Sequence, residues 1–256
     1  MKIVVAIKPA AGRDSPLRID SSGKWIEEAD LAWEIGEADA YALEEGLQLK
    51  EKHGGETIAL CAGPPRAAQA IRDALAKGAD RAIHIEEERL NPGPLATARL
   101  LAAAIAPEAP DLVLTGLESD GLGHGQTGVM LAELLGLPHA TIVMEVEVRN
   151  GSLRVKRELE DGWFQHVEMP LPALLTVQSG IAKLRYATLM GIKRARTKEI
   201  RRIVAAELGG EAAASGAVID RLYPPERSRR TQMLGGSPRE AAALLVEKLR
   251  REARAI

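Results

Sequence analysis

The segment Gly116-Leu117-Glu118-Ser119-Asp120-Gly121-Leu122-Gly123-His124-Gly125-Gln126-Thr127-Gly128 gathers glycines around one histidine and one threonine. Glycine lets backbone amides approach phosphate oxygens, and the free N–H groups of a helix start attract anions. Thr127 adds a hydroxyl donor. Gly123 to Gly128 also fits GxGxxG literally, although several residues separate it from the preceding predicted strand, unlike a dinucleotide fingerprint. A loop that needs glycine only for its turns is the competing reading. Two further segments leave predicted strands with small residues: Ala6-Ile7-Lys8-Pro9-Ala10-Ala11-Gly12 and Cys61-Ala62-Gly63-Pro64. Lys8 is placed to face a phosphate or to stand as a surface lysine.

Other chemistries find little support. GxxxxGK[ST] is absent, which argues against P-loop hydrolysis. No GxSxG elbow occurs, and Cys61 has no sequence neighbour to activate it. The histidines His53, His84, His124, His139 and His166 form neither HExxH nor a His/Cys cluster. Glu44-Glu45 and Glu86-Glu87-Glu88 read as solvated surface. A third segment, Thr176 to Ile192, carries Leu184, Tyr186, Leu189 and Met190 without a regular period and beside basic residues. Exposed, these make an apolar anchor with a charged rim; buried, they are a loop packed on its own domain.

The elements that must position these residues follow from pattern. Lys2–Lys8, Thr57–Cys61, Arg81–Ile85 and Asp111–Thr115 are short apolar runs and predict buried strands. Between and after them, Asp39–His53, Pro64–Lys77, Gly93–Ala106 and Gln126–Leu135 predict helices, with Gly54, Gly78 and Gly136 as stops. Strand and helix alternating in this way predict a doubly wound, mostly parallel α/β sheet with ligands at the carboxyl ends of its strands. The pattern then changes. Leu17–Asp20 with Lys24–Ile26 predicts an early hairpin. Thr141–Arg149 alternates, with Ile142, Met144, Val146 and Val148 on one face, and Asn150-Gly151 predicts a hairpin turn. Leu153–Leu159 and Trp163–Met169 extend the antiparallel part, and Ala173–Val177 returns to the main sheet. The expected division is a domain over 1–192 and a basic arm over 193–256. That arm is basic over Lys193–Arg202 and Arg221–Arg230 and ends in an amphipathic helix, Pro238–Ala253.

Composition sets bounds. The chain has 256 residues, and its 34 basic and 36 acidic residues leave a formal net charge of −2, which disfavours nucleic acid as a partner. A single cysteine excludes an intrachain disulfide framework. No run approaches the ~20 apolar residues of a membrane span. The start reads as a strand rather than a signal peptide, so the expected compartment is the cytoplasm. Aromatic residues make up only 3% of the chain, which leaves few for stacking a flat ligand.

Several blocks coincide in order and spacing with a known family. They are Lys2 to Lys8, Leu43 to Lys52, Ala74 to Ala82, Gly125-Gln126-Thr127-Gly128, and Leu184-Arg185-Tyr186-Ala187-Thr188-Leu189-Met190-Gly191-Ile192-Lys193-Arg194-Ala195. Over about residues 1–200 the chain resembles the beta subunit of electron transfer flavoprotein. The resemblance implies a Rossmann-like fold of the adenine nucleotide alpha hydrolase type and a heterodimer with an alpha subunit. It implies FAD held mainly on that partner, AMP on this subunit, electrons received from flavin dehydrogenases and passed to a membrane quinone reductase, and no catalysis of its own. By position, the implied AMP site is Ala6, Gly36, Glu37, Ala38, Asp39, Ala62, Gly116, Asp120, Gly121, Leu122, Gly123, His124, Gly125, Gln126 and Thr127. The implied recognition loop holds Leu184, Arg185, Tyr186, Leu189 and Met190, with Leu189 as anchor. This chain has Gly36-Glu37-Ala38 where the family commonly carries Asn-Pro-Phe, and Gly121-Leu122-Gly123 where it commonly carries an aspartate run. Ile181-Ala182-Lys183-Leu184 stands where Asn-Glu-Pro is usual. Two other readings of the pocket remain open: a second FAD, as in electron-bifurcating relatives, and a stand-alone adenine-nucleotide sensor.

Overall fold

The computed structural model describes residues 1–12, 14–88, 93–209, 219–225 and 231–256. The chain divides into two compact units, Met1–Asp220 and Arg221–Ile256. The first is built on β1 (Lys2–Ala6), β2 (Pro9–Ala11), β3 (Trp33–Ile35), α1 (Glu37–His53), β4 (Glu56–Gly63), α2 (Ala68–Lys77) and β5 (Arg81–Glu86). Next come α3 (Pro94–Ile105), β6 (Leu112–Gly116), α4 (Thr127–Leu135), β7 (His139–Arg149), β8 (Ser152–Glu158), β9 (Phe164–Pro170) and β10 (Ala173–Val177). Then α5 (Leu189–Ala195) leads to β11 (Ile200–Val204).

Nine strands form one sheet in the order β11-β5-β4-β1-β6-β10-β7-β8-β9. Pairing is parallel from β11 through to β7 and antiparallel from β7 to β9. Alternate residues of β1 serve opposite faces: Ile3 and Val5 pack with α1 and α2, while Val4 packs with α3 and α4. Covering both faces explains why the parallel strands are continuous apolar runs. The doubly wound fold expected from the sequence is the one observed. Among the described residues, no helix is long and apolar enough to cross a membrane.

Three expectations need correction. Residues 193–204, expected to begin a separate arm, complete α5 and then form β11, which pairs parallel with β5 at the sheet edge. The one-face reading of β7 holds only for its outer half. Pairing with β8 steps from Val143–Arg157 to Glu145–Lys156, skipping Met144. This bulge puts Val143, rather than Ile142 or Met144, in the core with Val146 and Val148 against it. The early hairpin is reduced to one antiparallel bridge, Ile19–Ile26, while β2 and β3 pair as a small separate sheet.

The second unit contains α6 (Pro238–Lys248), opened by a capping box in which the Ser237 N–H donates to Glu240 Oε2 at 2.7 Å. No residue of α6 is buried. Part of the basic stretch expected at 221–230 lies outside the described residues.

Candidate functional site: a strand-end crevice and a clamped loop

β1 and β6 are neighbours, yet the helices that follow them, α1 and α4, lie on opposite faces of the sheet. That reversal opens a crevice beyond their carboxyl ends. Asp39, in the first turn of α1, spans it. Its Oδ2 accepts from the Lys8 N–H at 2.8 Å and its Oδ1 accepts from the Gly116 N–H at 2.9 Å. A Cβ on Gly116 would lie 2.5 Å from Asp39 Oδ1 and 2.8 Å from the Ala38 carbonyl carbon, so only glycine fits this approach. Burial pushes the enclosed Asp39 carboxyl up to about 7, against the pull of the Lys8 and Gly116 amides. Burial also lowers the Lys8 ammonium, with Asp39 and Asp120 opposing, and pushes the buried Cys61 thiol up to about 12. Cys61 is therefore an inert strand residue.

The glycine loop folds back over the start of α1. Asp120 Oδ2 accepts from the Glu37 N–H at 2.8 Å, and the Gly36 N–H donates to the Lys8 carbonyl at 2.9 Å. Lys8 Nζ reaches Ser119 Oγ at 3.4 Å. Gly123 and Gly125 take φ values of +58° and +61°, the left-handed region where glycine is favoured. Thr127 opens α4, whose N-cap Gln126 makes no side-chain capping bond. Its first amides are thus not covered by their own N-cap side chain.

Hydrogen bonds therefore join Gly36, Glu37, Asp39, Gly116 and Asp120 of the implied pocket. Ala6 and Ala62 lie at or near the ends of β1 and β4, and Ala38 is buried in the first turn of α1. Gly121, Gly123, His124 and Gln126 lie exposed along the loop, with Leu122 and Gly125 half-buried.

Glu44 and Glu45 are buried, at 4% and 8% exposure, and not the solvated surface expected. Glu87 is buried as well, at 6%. The reason at Glu44 is Arg185. Its Nε donates to Glu44 Oε2 at 2.8 Å and Nη2 to Glu44 Oε1 at 3.0 Å, while Nη1 donates to Glu51 Oε1 at 2.6 Å. Burial works against the Glu44 charge, yet hydrogen bonds from Arg185 and Gln48 hold it below its ordinary value. Arg185, expected as a recognition residue, is spent on this internal clamp. Neither Glu44 nor Glu51 was legible as its partner, because 141 and 134 residues separate them from it. The signal was a guanidinium fork in one block and, in another, carboxylates about two turns apart on one helical face.

The clamp leaves the neighbouring side chains free. Tyr186, Leu189 and Met190 are 92%, 86% and 57% exposed, and Leu184 is half-buried. Thr188 caps α5 by accepting from the Gly191 N–H at 3.0 Å. Gly191 lies against the Ala76 carbonyl of α2, and Arg72 donates to the Ala195 carbonyl, so α5 is fixed on α2.

Known proteins resemble the chain over the segments that carry both features. Residues 24–208 match the model of the electron transfer flavoprotein domain. The electron transfer flavoprotein subunit beta of Methylophilus methylotrophus is 36% identical over 257 residues, covering 96% of this chain and 97% of that relative. The chain belongs to the electron transfer flavoprotein beta-subunit family. The beta subunit of Bacillus subtilis is 33% identical with all of both chains covered. That of Homo sapiens is 34% identical over 234 residues, covering 89% of this chain and 91% of its own. Beta-subunit likeness thus extends across both the crevice and the clamped loop, and the family's role is electron transfer.

Proposed function

We propose that this chain is the beta subunit of a heterodimeric electron carrier, with its crevice holding AMP and its α5 loop docking flavin dehydrogenases. The observation that carries the reading is the junction at the carboxyl ends of the neighbouring strands β1 and β6, where α1 and α4 leave on opposite faces of the sheet. Its residues fit a nucleoside monophosphate. The start of α4 offers amides that its own N-cap side chain leaves uncovered, and Lys8 Nζ stands beside Ser119. Asp120 already serves the start of α1, which leaves the start of α4 as the anion site. The alpha subunit carries most of the FAD contacts, and FAD, when bound, supplies the redox chemistry. This subunit's residues bind the nucleotide, orient the loop and present it. A membrane quinone reductase is the proposed acceptor.

Coexpression with an alpha subunit and FAD should yield a yellow one-to-one complex, and mass spectrometry of its released ligands should find AMP. A second equivalent of FAD in place of AMP would replace this reading with the electron-bifurcating one. A colourless monomer that binds adenine nucleotide and ignores the alpha subunit would point to a stand-alone sensor. Leu189→Ala should weaken coupling to a dehydrogenase by about 1–3 kcal/mol, as for an interface anchor. Its melting temperature should hold, because the side chain is 86% exposed. Unaltered reduction rates at limiting dehydrogenase would remove Leu189 from the anchor role.

A further inference from the structure

We infer that Asp120 is a positioning residue for the crevice: it caps α1 from the glycine loop and so holds that loop across the strand ends. Its effect on nucleotide release rests on the AMP reading above; its effect on the loop does not. α1 is 17 residues long and begins without a side-chain cap of its own. Its N-cap, Gly36, has no side chain to offer, although the backbone there, at φ −51° and ψ 145°, is open to other residues. Asp39 in the first turn does not serve the helix start either, because its two oxygens accept from the Lys8 and Gly116 amides. The first amide of α1, the Glu37 N–H, instead donates to Asp120 Oδ2 at 2.8 Å, from a residue 83 positions away. A carboxylate there also meets the positive end of the helix dipole.

Positions 36 and 120 are sterically matched. A Cβ on Gly36 would lie 3.3 Å from Asp120 Oδ2, tighter than ordinary contact. A residue able to cap α1 from position 36 therefore crowds the carboxylate that caps it from the loop. The loop gains as much as the helix does. It leaves β6 where the Leu117 N–H donates to the Val177 carbonyl at 3.0 Å, and it re-enters regular structure at Thr127. Between these ends Ser119 Oγ lies 3.4 Å from Lys8 Nζ and Asp120 holds α1, while Gly121, Gly123 and His124 are exposed. A Cβ on Gly121 would meet nothing within 4 Å. A segment packed this sparsely keeps its course through its polar ties. The Asp120 bond, a carboxylate taking an amide at 2.8 Å, is the stronger of these two. Breaking it frees the loop, and a nucleotide held in the crevice then leaves faster.

The test uses the full chain coexpressed with an alpha subunit and FAD. Three quantities are read for each variant: release of isotope-labelled AMP into excess unlabelled AMP, amide exchange over residues 117–125, and melting temperature. Asp120→Ala should release AMP about tenfold faster or more, the scale of one hydrogen bond to a charged group, and should deprotect the loop. Asp120→Asn, whose amide oxygen still accepts from Glu37, should stay within about threefold of wild type. Asp120→Ala combined with Gly36→Ser separates the tie from the cap. The introduced serine caps α1 from its own position, so the melting temperature should return while fast release and loop exchange persist. Gly36→Ser alone should lower the melting temperature, because it crowds Asp120; an equal gain in both backgrounds would refute the match between the two positions. Release within about twofold of wild type in Asp120→Ala would overturn the inference. So would release restored by the serine along with melting temperature, since Asp120 would then be a helix cap and nothing more. If the wild-type complex carries no AMP, the nucleotide reading fails and loop exchange alone decides. Deprotection in Asp120→Ala then upholds the tie, and unchanged exchange removes it.

Discussion

Helix α1 borders the crevice at one end and the proposed docking loop farther along, and it is fastened to the two by opposite means. In its first turn one carboxylate, Asp39, accepts from two backbone amides, one just past the end of β1 and one at the end of β6. Further on, two carboxylates, Glu44 and Glu51, accept from one guanidinium. The crevice is tied together by carboxylates that accept from main-chain amides. The loop is tied by one guanidinium and leaves Tyr186, Leu189 and Met190 exposed. The proposed nucleotide site would draw on backbone donors, and the proposed docking surface on free side chains. Arg185 holds the loop while its neighbours Tyr186, Leu189 and Met190 stay exposed.

Substitutions at each fastening separate the two regions. The largest effect belongs to Gly116→Ala, whose added methyl would collide with Asp39 and the Ala38 backbone. A loss of about 3 kcal/mol in denaturant unfolding is expected, together with loss of retained nucleotide. Dehydrogenase coupling per folded molecule should be kept. Coupling that falls in step with nucleotide retention would mean that the regions are not separable.

Arg185→Met is the converse. It leaves Glu44 buried without its cation and should cost about 2 kcal/mol, a cost reduced by the partial exposure of the clamp. Dehydrogenase KM should rise, nucleotide retention should not change, and Arg185→Lys should restore only part, because an ammonium cannot fork to both carboxylates. Full rescue by lysine would reduce the clamp to simple charge.

The smallest effect lies between the two, at Glu45. Burial and the neighbouring Glu44 charge push its carboxyl up to about 7, against the opposing Lys52. A carboxyl whose folded pKa is raised binds its proton more tightly when folded. The penalty is absent below the unfolded value near 4 and grows as pH rises toward 7. Glu45→Gln should therefore leave stability unchanged near pH 4 and improve it by roughly 1 kcal/mol at pH 8. A stability gain equal at both pH values would show that packing, not ionisation, is responsible. Asp39 is raised by burial too, so part of the pH slope should survive in this variant.

The alternation of strand and helix through α4 was legible because doubly buried strands and amphipathic helices have strong periods. β11 was not, since an edge strand with Arg201 and Arg202 on it reads as a basic tail until β5 is seen beside it. β2 and β3 are three residues each, too short for a period to register. The bulge at Met144 is a one-residue event that pattern smooths over. The site behaved similarly. The glycine loop and the exposed residues of the docking block announce themselves by composition. Asp39 as a brace between the segment after β1 and the end of β6, and Glu44 as one half of a clamp, depend on partners brought from far along the chain.

The route from β10 to β11 has a mechanical consequence. β10 lies near the middle of the sheet and β11 at its far edge, with β6, β1, β4 and β5 between them. At about 4.8 Å per strand, residues 178–199 must traverse roughly 24 Å. The segment that carries α5 is therefore a strap anchored at both ends, and swinging it outward would mean peeling β11 from the sheet. Amide exchange in β11 should then slow together with exchange in α5 when a dehydrogenase binds. The far edge of the sheet thereby reports on the segment that carries α5.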